Sequence, residues 1–149
     1  MFITRFFEPK LAQTSYLIGC PGARAAIVID PHRDVEPYIA AAAAQGARIT
    51  HVTETHIHAD FCSGARELAA RTGATLCLSG EGGPDWQYAF AAADGATLLQ
   101  HGDQLRIGDL AAIIRGESGR CVGSSVHTDY SDRSARNFHA QTMQSMCRK

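Results

Sequence analysis

The chain has 149 residues, 45% of them hydrophobic and 19% charged, with a formal net charge of −1. That length supports one domain with a sizeable core, and the near-neutral balance argues against nucleic acid or an anionic membrane surface as a partner. No apolar run approaches the roughly 18 residues needed to span a bilayer, and the start lacks the basic-then-apolar order of a secretory leader.

In chain order, residues 16–18 and 25–29 read as strands joined by a turn at Pro21-Gly22. An alanine-rich stretch predicts a helix over 37–45, ended by Gly46. A strand over 49–53 follows, then a polar loop, then a helix over 64–71 ended by Gly73, then a strand over 74–78. Residues 96–99 and 104–107 flank a turn at His101-Gly102-Asp103 and read as a hairpin. There is no internal repeat and no low-complexity linker. Acidic residues are in excess up to Asp109 and basic residues from Leu110 onward. After Ile114 the apolar residues thin out and keep neither helical nor strand spacing, so 116–120 and 130–136 read as solvated or disordered chain. Two units are therefore expected, 1–109 and an unmatched segment 110–149. The second is either a polar C-terminal tail or the product of a disrupted reading frame.

The five cysteines, Cys20, Cys62, Cys77, Cys121 and Cys147, form no C-x-x-C pair. An odd, scattered set without a leader reads as reduced thiols, so the expected location is the cytoplasm. Cys62 is expected to be a small packing residue, as free cysteines usually are. His32 is expected in a loop or at a helix start, His51 as a hydrogen-bonded structural residue, and His101 in a turn. Trp86, Tyr88 and Phe90 are expected to cover the core rather than line a pocket.

The chemistry lies in the loop after the strand over 49–53. It reads Thr55-His56-Ile57-His58-Ala59-Asp60-Phe61 and joins a strand to a helix, a usual position for ligand-binding loops. Imidazole and carboxylate are ligands for first-row divalent metals at neutral pH. An isolated histidine in a loop is ordinarily a surface residue. Two histidines and an aspartate at alternate positions after an apolar strand are a metal-ligand pattern.

Over residues 54–70 (ETHIHADFCSGARELAA) the chain resembles the metallo-β-lactamase superfamily, in its persulfide dioxygenase-like branch near glyoxalase II. Residues 6–19 are similar to that branch's first strands. The run Ala26-Ile27-Val28-Ile29-Asp30-Pro31 is similar to the strand that brings an aspartate towards the site. The segment Gly82-Gly83-Pro84-Asp85-Trp86-Gln87-Tyr88 has a counterpart there too. The resemblance runs over about 1–109. It implies an α/β fold, the N-terminal half of an αββα sandwich.

The resemblance also implies a metal site at His56, His58 and Asp60. His56 would be a direct ligand, and His58 and Asp60 would bind the metal or orient its ligands and a bound water. Asp60 is the residue with an implied catalytic role. Hydrolases of the superfamily commonly carry a histidine directly after the motif aspartate, where it helps hold a second metal. Phe61 has no lone pair to donate, so one ion is expected, Fe(II) in preference to Zn(II).

The implied activity is oxidation of glutathione persulfide, or a similar small persulfide, to sulfite and the thiol. A zinc-dependent thioester hydrolase of the glyoxalase II type is the alternative. The family's later histidine segment and bridging aspartate have no counterpart here. His127 and His139 lack the family context and are weak candidates for ligands. The chain is accordingly expected to be truncated or frame-disrupted, a non-catalytic half-domain whose metal site is incompletely occupied. The implied partner is a small thiol or persulfide, with neither nucleic acid nor membrane, and self-association into a homo-oligomer is an open expectation.

Overall fold

The computed structural model describes residues 1–58, 61–81, 87–117, 123–130 and 138–140. Strands β1 (Phe2–Glu8), β2 (Gln13–Cys20) and β3 (Ala25–Ile29) run antiparallel in succession. Helix α1 (Glu36–Ala44), β4 (Arg48–Thr53), α2 (Ala65–Thr72), β5 (Thr75–Ser79) and β6 (Thr97–Leu99) follow, with β3 to β6 parallel neighbours in the order of the chain. These six strands make one sheet. The second sheet is formed by β7 (Gln104–Ile107), β8 (Leu110–Glu117), β9 (Gly123–Tyr130) and β10 (Phe138–Ala140), all antiparallel.

The inner strands β2 to β5 of the six-stranded sheet are largely buried on both faces, which explains their apolar runs. Along β3, Ala26 and Val28 pack with Tyr38, Ala42 and Leu68 from the helices. The alternate residues, Ile27 and Ile29, pack with Leu105, Ile107, Leu110 and Ile114 of the second sheet. The period of two thus divides one strand between two cores. Helices on one face and a second sheet on the other make the α, β and β layers of the expected αββα sandwich. Among the described residues no helix is long and apolar enough to cross a membrane.

Local chemistry sets the helix limits. Pro37 stands in the first turn of α1, where its missing N–H costs nothing. Gly73 closes α2 in the left-handed region at φ 70°, and its N–H donates to Ala69 O at 2.9 Å. Arg71 Nη2 reaches Glu36 Oε1 at 2.6 Å and ties the two helices together.

Two expectations are corrected here. The hairpin read over 96–99 and 104–107 does not form. β6 adds to β5 in the first sheet, and β7 pairs with β8 in the second. Leu99, Leu105 and Ile107 all enter the core between the sheets, so the chain crosses from one sheet to the other at the His101-Gly102-Asp103 turn. The true hairpin is β7–β8, turned by Gly108 at φ 64°. The second correction is the strand β9, in the stretch after Ile114 where no strand spacing was expected. It pairs with β8 from Leu110↔Tyr130 to Glu117↔Gly123. A ladder of backbone hydrogen bonds does not need an apolar sequence. Residues 118–122, 131–137 and 141–149 lie outside the described residues, and with them Cys121 and Cys147.

His51 stands half-buried on β4 with Nδ1 2.9 Å from Thr50 Oγ1, the structural role expected of it. Burial lowers its pKa below the ordinary 6.5, so folding favours the neutral ring. The associated stability is complete above about 6.5, the unfolded value, and is lost as pH falls through the lowered folded value. His51→Gln should therefore flatten the decline in melting temperature between neutral pH and pH 5. An unchanged slope would assign the acid sensitivity to other groups, His32 among them, since burial lowers its pKa too.

Candidate metal centre

The site forms where β3 and β4, parallel neighbours, reach their carboxyl ends, the side of an open α/β sheet where ligands bind. Asp30 follows β3 directly. It is 2% exposed and held at φ 52°, a left-handed conformation that aspartate tolerates better than most residues. Its N–H donates to Thr53 O at 2.9 Å, and its carbonyl accepts Gln13 Nε2 at 3.0 Å.

Its carboxylate organises the loop that follows β4. Oδ1 accepts the Thr55 N–H at 2.7 Å and His58 Nε2 at 3.1 Å. Oδ2 accepts the Thr55 hydroxyl at 2.7 Å. That hydroxyl has given its proton to Asp30, so it accepts from His56 Nδ1, 2.9 Å away. The hydrogen bonds assign both tautomers. In the neutral rings the lone pair lies on Nε2 of His56 and on Nδ1 of His58. The two ring centroids are 4.2 Å apart. Two imidazoles oriented through their other nitrogens are what a histidine metal site requires, and the chemistry of this donor pair fits a divalent ion.

The Phe61 ring lies tilted against His58, its centroid 4.3 Å from that of the imidazole. Asp60 lies outside the described residues, as does Trp86. Among the described residues no third histidine, cysteine or carboxylate groups with the pair as a metal cluster. His127 is in register with Ile113 of β8 and with His139 of β10.

Beneath the loop, Glu54 is 5% exposed. Burial raises its pKa, opposed by the nearby hydroxyls of Ser63 and Tyr88 and by the neighbouring His58. Tyr88 is buried in the helix-side core, as expected, with Phe90 against it. Burial, with Glu54 beside it, raises the Tyr88 pKa. Its hydroxyl lies close to Glu54 in electrostatic terms yet falls short of hydrogen-bond geometry to any described residue.

Cys62 is exposed rather than packed, because loop geometry turns it outward, and its Sγ accepts from Arg33 Nη1 at 2.9 Å. Sequence reading found the two histidines and, through the resemblance, Asp30. It missed Thr55 and Arg33. Thr55 carried a signal, since it directly precedes His56 and has a hydroxyl able to bridge. Arg33 carried none, because its contact spans 29 positions.

Comparison with known proteins agrees with this geometry. The model of the metallo-beta-lactamase superfamily matches residues 9–124. The chain is 33% identical over 109 residues to hydroxyacylglutathione hydrolase of Rhodospirillum rubrum, covering 72% of this chain and 40% of that protein. It is 27% identical over 127 residues to the mitochondrial persulfide dioxygenase ETHE1 of Homo sapiens, covering 83% and 46%. Among solved structures, a metallo-beta-lactamase from Staphylococcus aureus superposes with a TM-score of 0.84 at 35% identity, over 91% of this chain and 40% of that one. The chain thus spans less than half the length of each of these three proteins.

Proposed function

Because the chain belongs to the metallo-beta-lactamase superfamily, we propose that His56 and His58 belong to a mononuclear site of the persulfide dioxygenase type. The substrate class is a small thiol persulfide such as glutathione persulfide. The observation that carries this reading is Phe61. Where a two-metal hydrolase would carry a second-metal ligand, this chain packs an aromatic ring against His58. A hydroxide clamped between two ions then loses one of its supports. Fe(II) held by histidines and a carboxylate would supply a redox-active centre for dioxygen beside a thiolate-like substrate. Asp30 and Thr55 fix the two imidazoles, and the Phe61 ring packs against His58.

The likeness to hydroxyacylglutathione hydrolase favours a second reading, zinc-dependent cleavage of a glutathione thioester. Products separate the two, sulfite for the first and a carboxylic acid for the second.

With its ligands His56, His58 and Asp60 all on one loop and no distal partner, the chain by itself should hold metal weakly. Elemental analysis after dialysis is expected to show substoichiometric iron or zinc. His56→Ala should remove it, and His127→Ala should leave it unchanged. About one tightly held ion per chain would show that other residues complete the shell, and the reverse ranking of the two variants would refute the assignment of His56. Oxygen uptake with glutathione persulfide should match the blank for this chain alone. Metal-dependent uptake would establish the oxidation and overturn the incomplete-site reading. Metal-dependent thioester hydrolysis would replace oxidation with the second reading.

A further inference from the structure

We propose that the turn of residues 31–35 is a positioning brace for the metal loop, with Gly64 as its fixed contact and Arg33 as its adjustable one. The proposal rests on the reading of His56 and His58 as metal ligands, since that is what gives the bracing a purpose.

The turn is anchored from behind. Tyr38 Oη, on α1, accepts the His32 N–H at 2.8 Å and stands 2.6 Å from Ser15 Oγ of β2. Either hydroxyl can donate across that contact. Ser15 Oγ also stands 3.4 Å from His32 Nε2. The hydrogen bonds close a ring that joins the turn to a helix and a strand, and Tyr38 and Ser15 are both fully buried.

From that anchorage the turn reaches the loop just downstream of the histidines. The Gly64 N–H donates to Pro31 O at 3.1 Å. A Cβ on Gly64 would stand 2.1 Å from His32 O and 2.8 Å from Val35 Cγ1. Backbone meets backbone there, and only glycine permits the approach. Arg33 Nη1 donates to Cys62 Sγ at 2.9 Å. Among the described residues Arg33 makes no ion pair. Arg33 is exposed and its removal opens no core. No described hydrogen bond or ring contact joins it to either histidine, and its reach to the loop runs through Cys62, which makes it a positioning residue.

Hydrogen–deuterium exchange on the metal-free full chain tests the brace directly. Arg33→Met should speed exchange over residues 55–64 about fivefold, the scale that one hydrogen bond sets. Residues 25–29 should exchange as before, and Arg33→Lys should recover part of the protection. Gly64→Ala should loosen the same segment further. If that variant fails to fold, Arg33→Met decides alone. Exchange over 55–64 unchanged in Arg33→Met overturns the proposal. Cobalt(II) titration reads the purpose separately. Weaker binding with shifted visible bands in Arg33→Met, at an unchanged melting temperature, supports positioning of the ligands. Faster exchange in a chain whose wild type binds no cobalt(II) supports the brace and overturns the metal-ligand reading.

Discussion

Asp30→Ala should cost about 3–5 kcal/mol of folding stability, the scale of breaking a buried charged network from one side. The carboxylate is 2% exposed. It takes the Thr55 amide, the Thr55 hydroxyl and His58 Nε2. Alanine would leave two buried donors without acceptors, and each orphaned group costs about 1–3 kcal/mol. It would also place a β-carbon residue without a polar side chain at φ 52°. Asp30→Asn should cost less, because asparagine tolerates that conformation and keeps one acceptor oxygen. Asp30→Ala releases His58 from the hydrogen bond that selects its tautomer, so it should also weaken metal binding. Urea unfolding with a parallel metal titration measures the two effects. A loss below about 1 kcal/mol in Asp30→Ala, a single ordinary hydrogen bond, would mean that the carboxylate does not organise the loop.

Tyr38 should show the second large effect. It is fully buried, its ring lies 4.5 Å from that of Phe6, and its hydroxyl joins Ser15 to the His32 amide. Tyr38→Ala removes a whole aromatic side chain from the helix-side core and should cost about 3–5 kcal/mol. Tyr38→Phe keeps the packing and removes only the hydroxyl, leaving the His32 amide and Ser15 to find other partners, at about 1–2 kcal/mol. The gap between the variants apportions packing and hydrogen bonding at one position. Equal losses would mean that the hydroxyl network dominates, and a neutral Tyr38→Phe would mean that it contributes nothing to stability.

The sequence by itself determined the features that depend on neighbouring residues. Alternation of strand and helix patterns placed β3, β4, α2 and β5 within a residue or so of their observed limits. The breakers Gly46 and Gly73 marked the helix ends because the left-handed conformation there favours glycine. The His56-Ile57-His58 loop was legible for the same reason, its ligand spacing and its place after a strand both being local.

Only the tertiary structure decided which surfaces meet. β6 and β7 are adjacent in sequence and each resembles half a hairpin, yet burial of Leu99, Leu105 and Ile107 between two sheets sends them to different ones. β9 carries no strong strand pattern and forms because β8 offers an unpaired backbone edge. Cys62 looked like a packing residue, yet the loop turns it outward to Arg33, 29 positions earlier. The tautomers of His56 and His58 depend on Asp30, brought from a different strand by the parallel pairing of β3 with β4. Periodicity reports which face of an element is apolar, whereas the partner of that face, or of a buried carboxylate, is fixed only when distant segments compete for one core.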